Sequence, residues 1–193
     1  MIGNDLVDLK LAAKESNWQR KGFLDKLFTP KEQGYVLNSD NPFKTVWLLW
    51  SMKESAYKAF LQTHNERFFA PKNLKCHLIS NNKGTVLINN TLFFTESEFG
   101  DAFIYTVAFT KNQHNIFLTD CFQFERPDFE TQRSQTYQKV LVAFSIKLKL
   151  PVAQLKIEKN DQGVPQLFQG EMLLKYPFSL THHGQFGAFC IED

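Results

Sequence analysis

No stretch of this sequence stays apolar for the roughly 20 residues that cross a bilayer, and Met1-Ile2-Gly3-Asn4-Asp5 offers no charged leader followed by an apolar core. The expectation is a soluble, cytoplasmic protein with no membrane partner. Cysteine is scarce: Cys76, Cys121 and Cys190 are odd in number, scattered and without a C-x-x-C pair, so neither a disulfide framework nor a zinc site is indicated. Charge of one sign is lacking too. The 22 Lys+Arg against 20 Asp+Glu leave a net +2, too balanced to indicate nucleic acid or a membrane surface. One local excess stands out between Lys139 and Lys159, where five lysines meet only Glu158. That is about +4 by formal charge, either a solvated helix face or a docking patch.

What is present is aromatic. Twenty Phe within 193 residues supply flat rings that bury large areas each, enough core for one compact domain or two small ones packed together. Ile2 to Leu9 reads as a strand ending at Asp8, followed by a polar helical stretch to about Gly22. Thr29-Pro30 marks a helix start, with Thr29 as cap and Pro30 at the first helical position. Lys44 to Leu61 is a helix by its periodicity. Leu74–Ile79 and Thr85–Ile88 flank the turn signal Asn81-Asn82-Lys83-Gly84, a hairpin, and strands follow at Ala102–Thr110 and Ile116–Phe124.

At Arg126-Pro127-Asp128 the pattern breaks and the order of events restarts. Tyr137, Val140, Leu141, Phe144 and Leu148 mark one helix face. Leu155–Ile157 leads into the turn Asn160-Asp161-Gln162-Gly163, and Phe178–Thr181 with Phe186–Ile191 form a last strand pair. Helix, hairpin and strands occur twice, a faint internal echo. The expectation is an α+β chain of two similar halves, residues 1–125 and 126–193, forming one compact unit.

Chemistry concentrates in the helix over residues 44–61. Its stripe at 47, 50, 54, 57 and 61 reads Trp, Trp, Glu, Tyr, Leu, and the neighbouring stripe at 46, 49, 53, 56 and 60 reads Val, Leu, Lys, Ala, Phe. Glu54 and Lys53 thus stand in the middle of faces that should be buried, where an unpaired charge costs several kcal/mol. Lys58, one turn on, is the local partner for Glu54, and an exposed bridge of roughly 0.3–0.5 kcal/mol is the plain structural alternative. Asp5 repeats the problem, since alternation in the first strand places it on a face with Gly3, Val7 and Leu9. If Asp5 and Glu54 converge, they make an all-oxygen site suited to Mg2+, which takes one or two carboxylates, waters and substrate phosphates.

These residues resemble the 4'-phosphopantetheinyl transferase superfamily. Its G-x-D motif appears as Gly3-Asn4-Asp5, and its longer helix motif, an aromatic residue and a small one ahead of Lys-Glu and a terminal Lys, appears in full as Trp50 to Lys58. The family's S/T-H-S strand end resembles Thr181-His182-His183, and its G-K-P turn resembles Gly163-Val164-Pro165, with the lysine replaced. Arg133 precedes Gly163 by a separation similar to that of a family arginine that holds the 3'-phosphate of coenzyme A.

The resemblance implies a pseudo-dimer of the family fold, circularly permuted so that the copy with G-x-D and Lys-Glu comes first, and acting as a monomer. It implies that 4'-phosphopantetheine passes from coenzyme A to a serine of an acyl or peptidyl carrier protein, releasing adenosine 3',5'-bisphosphate. Asp5 and Glu54 would ligate Mg2+, Lys58 would contact the phosphates, and Glu54 would accept the serine proton. Thr181, His182 and Arg133 would bind coenzyme A, while Lys53 would tie the two halves and His183 would be an exposed neighbour. Asp8 is expected to cap a helix. The alternative of another class is a non-catalytic module that binds coenzyme A or a carrier protein.

Overall fold

The computed structural model describes residues 1–64, 67–68, 70–110, 117–126 and 128–192. The chain opens with strand β1 (Ile2–Asp8) and three short helices, α1 (Leu9–Glu15), α2 (Phe23–Leu27) and α3 (Pro30–Leu37), ahead of the long α4 (Pro42–Leu61). The helix after β1 ends at Glu15, earlier than the polar stretch suggested, because Ser16 turns extended. Strands β2 (Leu74–Leu78), β3 (Lys83–Ile88), β4 (Thr91–Phe99) and β5 (Phe103–Phe109) complete an antiparallel sheet of order β1-β5-β4-β3-β2. Then come β6 (Phe117–Gln123), α5 (Phe129–Leu148), β7 (Leu155–Lys159), β8 (Pro165–Gln169), β9 (Met172–Leu174), β10 (Phe178–His183) and β11 (Phe186–Glu192). These form two three-stranded sheets, β10-β11-β6 and β7-β8-β9. The fold class is α+β. Strand β6 precedes the break seen at Arg126, yet it pairs along its length with β11.

Helix α4 is the organising element. Asn41 caps it by accepting the Lys44 N–H, Pro42 stands at its start, and no Gly or Pro interrupts its interior. Val46, Leu49, Met52, Ala56 and Ala59 are fully or almost fully buried, and large apolar side chains in such places contribute about 1.5–3 kcal/mol apiece. A helix buried nearly all round must lie inside the fold rather than on it. Strand β1 crosses it closely because residue 3 is glycine: a Cβ there would come 2.1 Å from the Ser55 carbonyl and 2.5 Å from the Ala59 nitrogen.

A buried cluster of Ile2, Leu6, Tyr105, Val107, Ala188 and Cys190 joins the β1–β5 sheet to the β10–β11 sheet. Strand β10 also reaches β1 by its side chains: Ser179 Oγ accepts the Asn4 N–H at 3.2 Å and His183 Nδ1 accepts the Asp8 N–H at 2.9 Å. Backbone donors of β1 that have no neighbouring strand are thereby satisfied, and Thr181, between those two residues, is brought to the same margin of β1.

Candidate functional site

Asp5, Glu54, Lys58 and Thr181 meet where β1, α4 and β10 come together. Alternation along β1 turns Asp5 with Gly3 toward α4, and Lys58 lies one turn beyond Glu54 on that helix. Lys58 Nζ donates to Asp5 Oδ1 at 3.0 Å, to the Asn4 carbonyl at 3.0 Å and to Thr181 Oγ1 at 3.2 Å. The sequence favoured Glu54 as the partner of Lys58. Its ion pair is instead with Asp5, because β1 lies against α4 and offers a carboxylate and a carbonyl together.

Among the described residues Glu54 has no hydrogen-bonded cation, and its carboxyl responds. Burial first, then the charge of Asp5, push its pKa up from 4.5 to about 7, while Lys58 pulls the other way. Two carboxylates thus share one desolvated place with a single ammonium, an arrangement that a divalent cation would relieve. Among the described residues no group of three His, Cys, Asp or Glu is placed to hold a metal. The donor set fits an ion that keeps waters and takes phosphate oxygens, as Mg2+ does.

Glu54 and Lys58 face a cleft of about 570 Å3 whose other walls include Tyr57, Phe68, Val164 and Phe178, with Arg67 and Lys159 also lining it. His182 stands beside it on the opposite face of β10 from Thr181, edge-on to Phe129. Burial holds its pKa below the usual value, helped by the charges of Lys58 and Lys159, so it is neutral at pH 7. Arg133 is exposed on α5, its guanidinium 5.6 Å from the Tyr137 ring centre, and does not line the cleft.

Two neighbours take other roles than expected. Lys53 does not join the halves: it is buried on an ion pair with Glu32 at 2.8 Å and also donates to the Pro71 and Leu74 carbonyls, all within the first half. Glu32, which also accepts the Thr29 and Cys76 N–H groups, was legible only as part of a helix start. His183 is not an exposed bystander, since its ring accepts from β1. Asp8 caps α1 as expected, and its second oxygen accepts the Gln185 N–H. Arg67 went unnoticed in the sequence because nothing local marks it.

Comparison with known proteins adds a family. The sequence model of the 4'-phosphopantetheinyl transferase superfamily matches residues 1–119, which include Asp5, Glu54 and Lys58. A similar solved structure is the holo-acyl-carrier-protein synthase of Thermotoga maritima, with 11% identity, 87% of this chain and 82% of that chain covered, and a TM-score of 0.45. No curated protein matches the sequence. The family match spans more than half of the chain and carries both of its acidic motifs, and on that ground the protein belongs to the 4'-phosphopantetheinyl transferase superfamily.

Proposed function

We propose that the protein transfers 4'-phosphopantetheine from coenzyme A to a serine hydroxyl of an acyl or peptidyl carrier protein, with Mg2+ bound by Asp5 and Glu54. The observation that carries this reading is the meeting of Asp5, Glu54 and Lys58 at one end of a cleft large enough for a nucleotide. In the reaction the serine oxygen forms a bond to the phosphorus that bears pantetheine, the bond from that phosphorus to the bridging oxygen breaks, and adenosine 3',5'-bisphosphate leaves. When bound, Mg2+ supplies positive charge to the diphosphate oxygens as the negative charge grows.

The residues of the chain do the rest. Glu54 lines the cleft on the side where the phosphates would lie, and its carboxylate is suited to accept the serine proton. Lys58 holds Asp5 in place and adds positive charge at the same end of the cleft. Thr181 fixes the ammonium from the β10 side, and His182, neutral, offers a hydrogen bond to the nucleotide. Both walls come from one chain, so a monomer suffices.

The test is intact-mass analysis of apo carrier proteins incubated with the protein, coenzyme A and Mg2+. Added phosphopantetheine that disappears with Glu54→Gln and Asp5→Asn supports the proposal. Binding of coenzyme A without transfer to any of several carriers would reduce it to the binding-module reading.

A further inference from the structure

The cleft carries a cation that the family resemblance did not anticipate. Arg67 lies in the segment after α4, yet its guanidinium Nη2 donates to the backbone carbonyl of Gln162 in the β7–β8 turn and lies over Gly163. A Cβ at Gly163 would come 2.5 Å from that nitrogen, and the residue has a φ of +73°. An arginine from one part of the chain is therefore seated on the turn of another, next to Val164, where the resembled G-K-P turn has its lysine. Lys159 closes β7 just before the same turn and lies near enough to Lys58's neighbour His182 to influence it.

Charge and shape point to the ligand. Among the described residues the cleft is lined by Lys58, Arg67 and Lys159 against the carboxylate of Glu54, while Asp5 behind it is already met by Lys58. A guanidinium has five N–H donors in a planar fork that matches phosphate oxygens in pairs. Gln162 is the one hydrogen-bond acceptor Arg67 has among the described residues, and none of their carboxylates forms an ion pair with it. Glu54 is half-buried in the cleft, whereas Arg67 is exposed. Tyr57, Phe68 and Phe178 give the wall between them an apolar, aromatic surface.

We propose that Arg67, seconded by Lys159, grips the terminal phosphate monoester of a nucleotide ligand at the mouth of the cleft, away from the reacting end, replacing the cation that Val164 lacks. This rests on the functional reading above, which makes the ligand coenzyme A and the monoester its 3'-phosphate. The φ of +73° at Gly163 favours glycine, and the missing side chain leaves room for the guanidinium.

The test is isothermal titration of the full chain in Mg2+ with coenzyme A and, separately, with dephospho-coenzyme A, which lacks only that monoester. Arg67→Ala is expected to weaken coenzyme A binding roughly 10- to 100-fold, the range of a lost charge-assisted hydrogen bond. Binding of dephospho-coenzyme A should stay within about twofold, and Arg67→Lys should restore part of the loss. Equal weakening toward both ligands, or none toward coenzyme A, overturns the inference while leaving the functional reading intact. Should Arg67→Ala fold poorly, Arg67→Gln, which keeps a polar side chain without the charge, is judged by the same ratio. A wild-type protein that binds neither ligand overturns the functional reading and this inference with it.

Discussion

Lys58 Nζ stands 3.0 Å from Asp5 Oδ1, and its three protons are all directed at protein oxygens, those of Asp5, Asn4 and Thr181. The ammonium is thereby a fixed charge rather than a loose side chain, paired with Asp5 and near enough to Glu54 to pull its pKa down. Replacing it by Met removes the influence that pulls the Glu54 pKa down, so the mutant should be less stable than wild type at pH 8 and closer to it at pH 5, where Glu54 is protonated. Thermal melts at the two pH values check this, and transfer should fall by about 100-fold or more as charge at the phosphates is lost.

Glu54 itself should make the folded protein more stable in mild acid. Between pH 4.5 and about 7 the folded chain keeps a proton on Glu54 that the unfolded chain has lost, so stability falls as pH rises through that window and levels off above it. The full change is about 3 kcal/mol. Glu54→Gln should flatten this slope and raise stability at pH 8 while abolishing transfer. Denaturant titrations from pH 5 to pH 8 measure it, and equal slopes in mutant and wild type would contradict the assignment.

Mg2+ binding should show the opposite slope. Below pH 7 the ion must displace the Glu54 proton, so its affinity should drop by about tenfold per pH unit and proton release should accompany binding. Calorimetry in two buffers of different ionisation enthalpy reads both quantities.

Away from the cleft, the Lys53–Glu32 pair is structural. Lys53→Ala strands a fully buried Glu32 and should cost about 3–5 kcal/mol, whereas Lys53→Met with Glu32→Gln in one chain should recover much of that. Transfer by the folded fraction should change little, since neither residue lines the cleft.

Gly3→Ala tests the contact that brings Asp5 to α4. Its methyl would collide with the Ser55 carbonyl and the Ala59 nitrogen, atoms of the helix backbone that cannot swing aside. Overpacking of this kind costs about 1–3 kcal/mol or more, and the displaced strand should also weaken Mg2+ binding, seen as a lost thermal shift with the ion.

Local signals were readable in the sequence. Thr29-Pro30 announces α3 by its own chemistry, and the capping box with Glu32 is present in the fold. The charged stripes of α4 stood out because 3.6-residue periodicity is a local property. Strand β4 was missed: Thr95 and Ser97 point inward and are buried, Ser97 sharing a hydrogen bond with Thr106, so apolar alternation is interrupted. The partner of Lys58 was misjudged for a related reason. Spacing along a helix names the neighbour four residues away, whereas Asp5 is 53 residues away. Arg67 gave no signal, because its meaning depends on a turn 95 residues later.

The hydroxyl of Thr181 and the carboxylate of Asp5 are 176 positions apart in the chain, and that separation governs when the enzyme becomes competent. Lys58 on α4 waits for β10 before its ammonium has a third oxygen to hold. Contacts between such distant segments form slowly. Catalytic competence should therefore trail the gain of helical signal during refolding, with the Thr181 contacts to Lys58 and Asp5 made last.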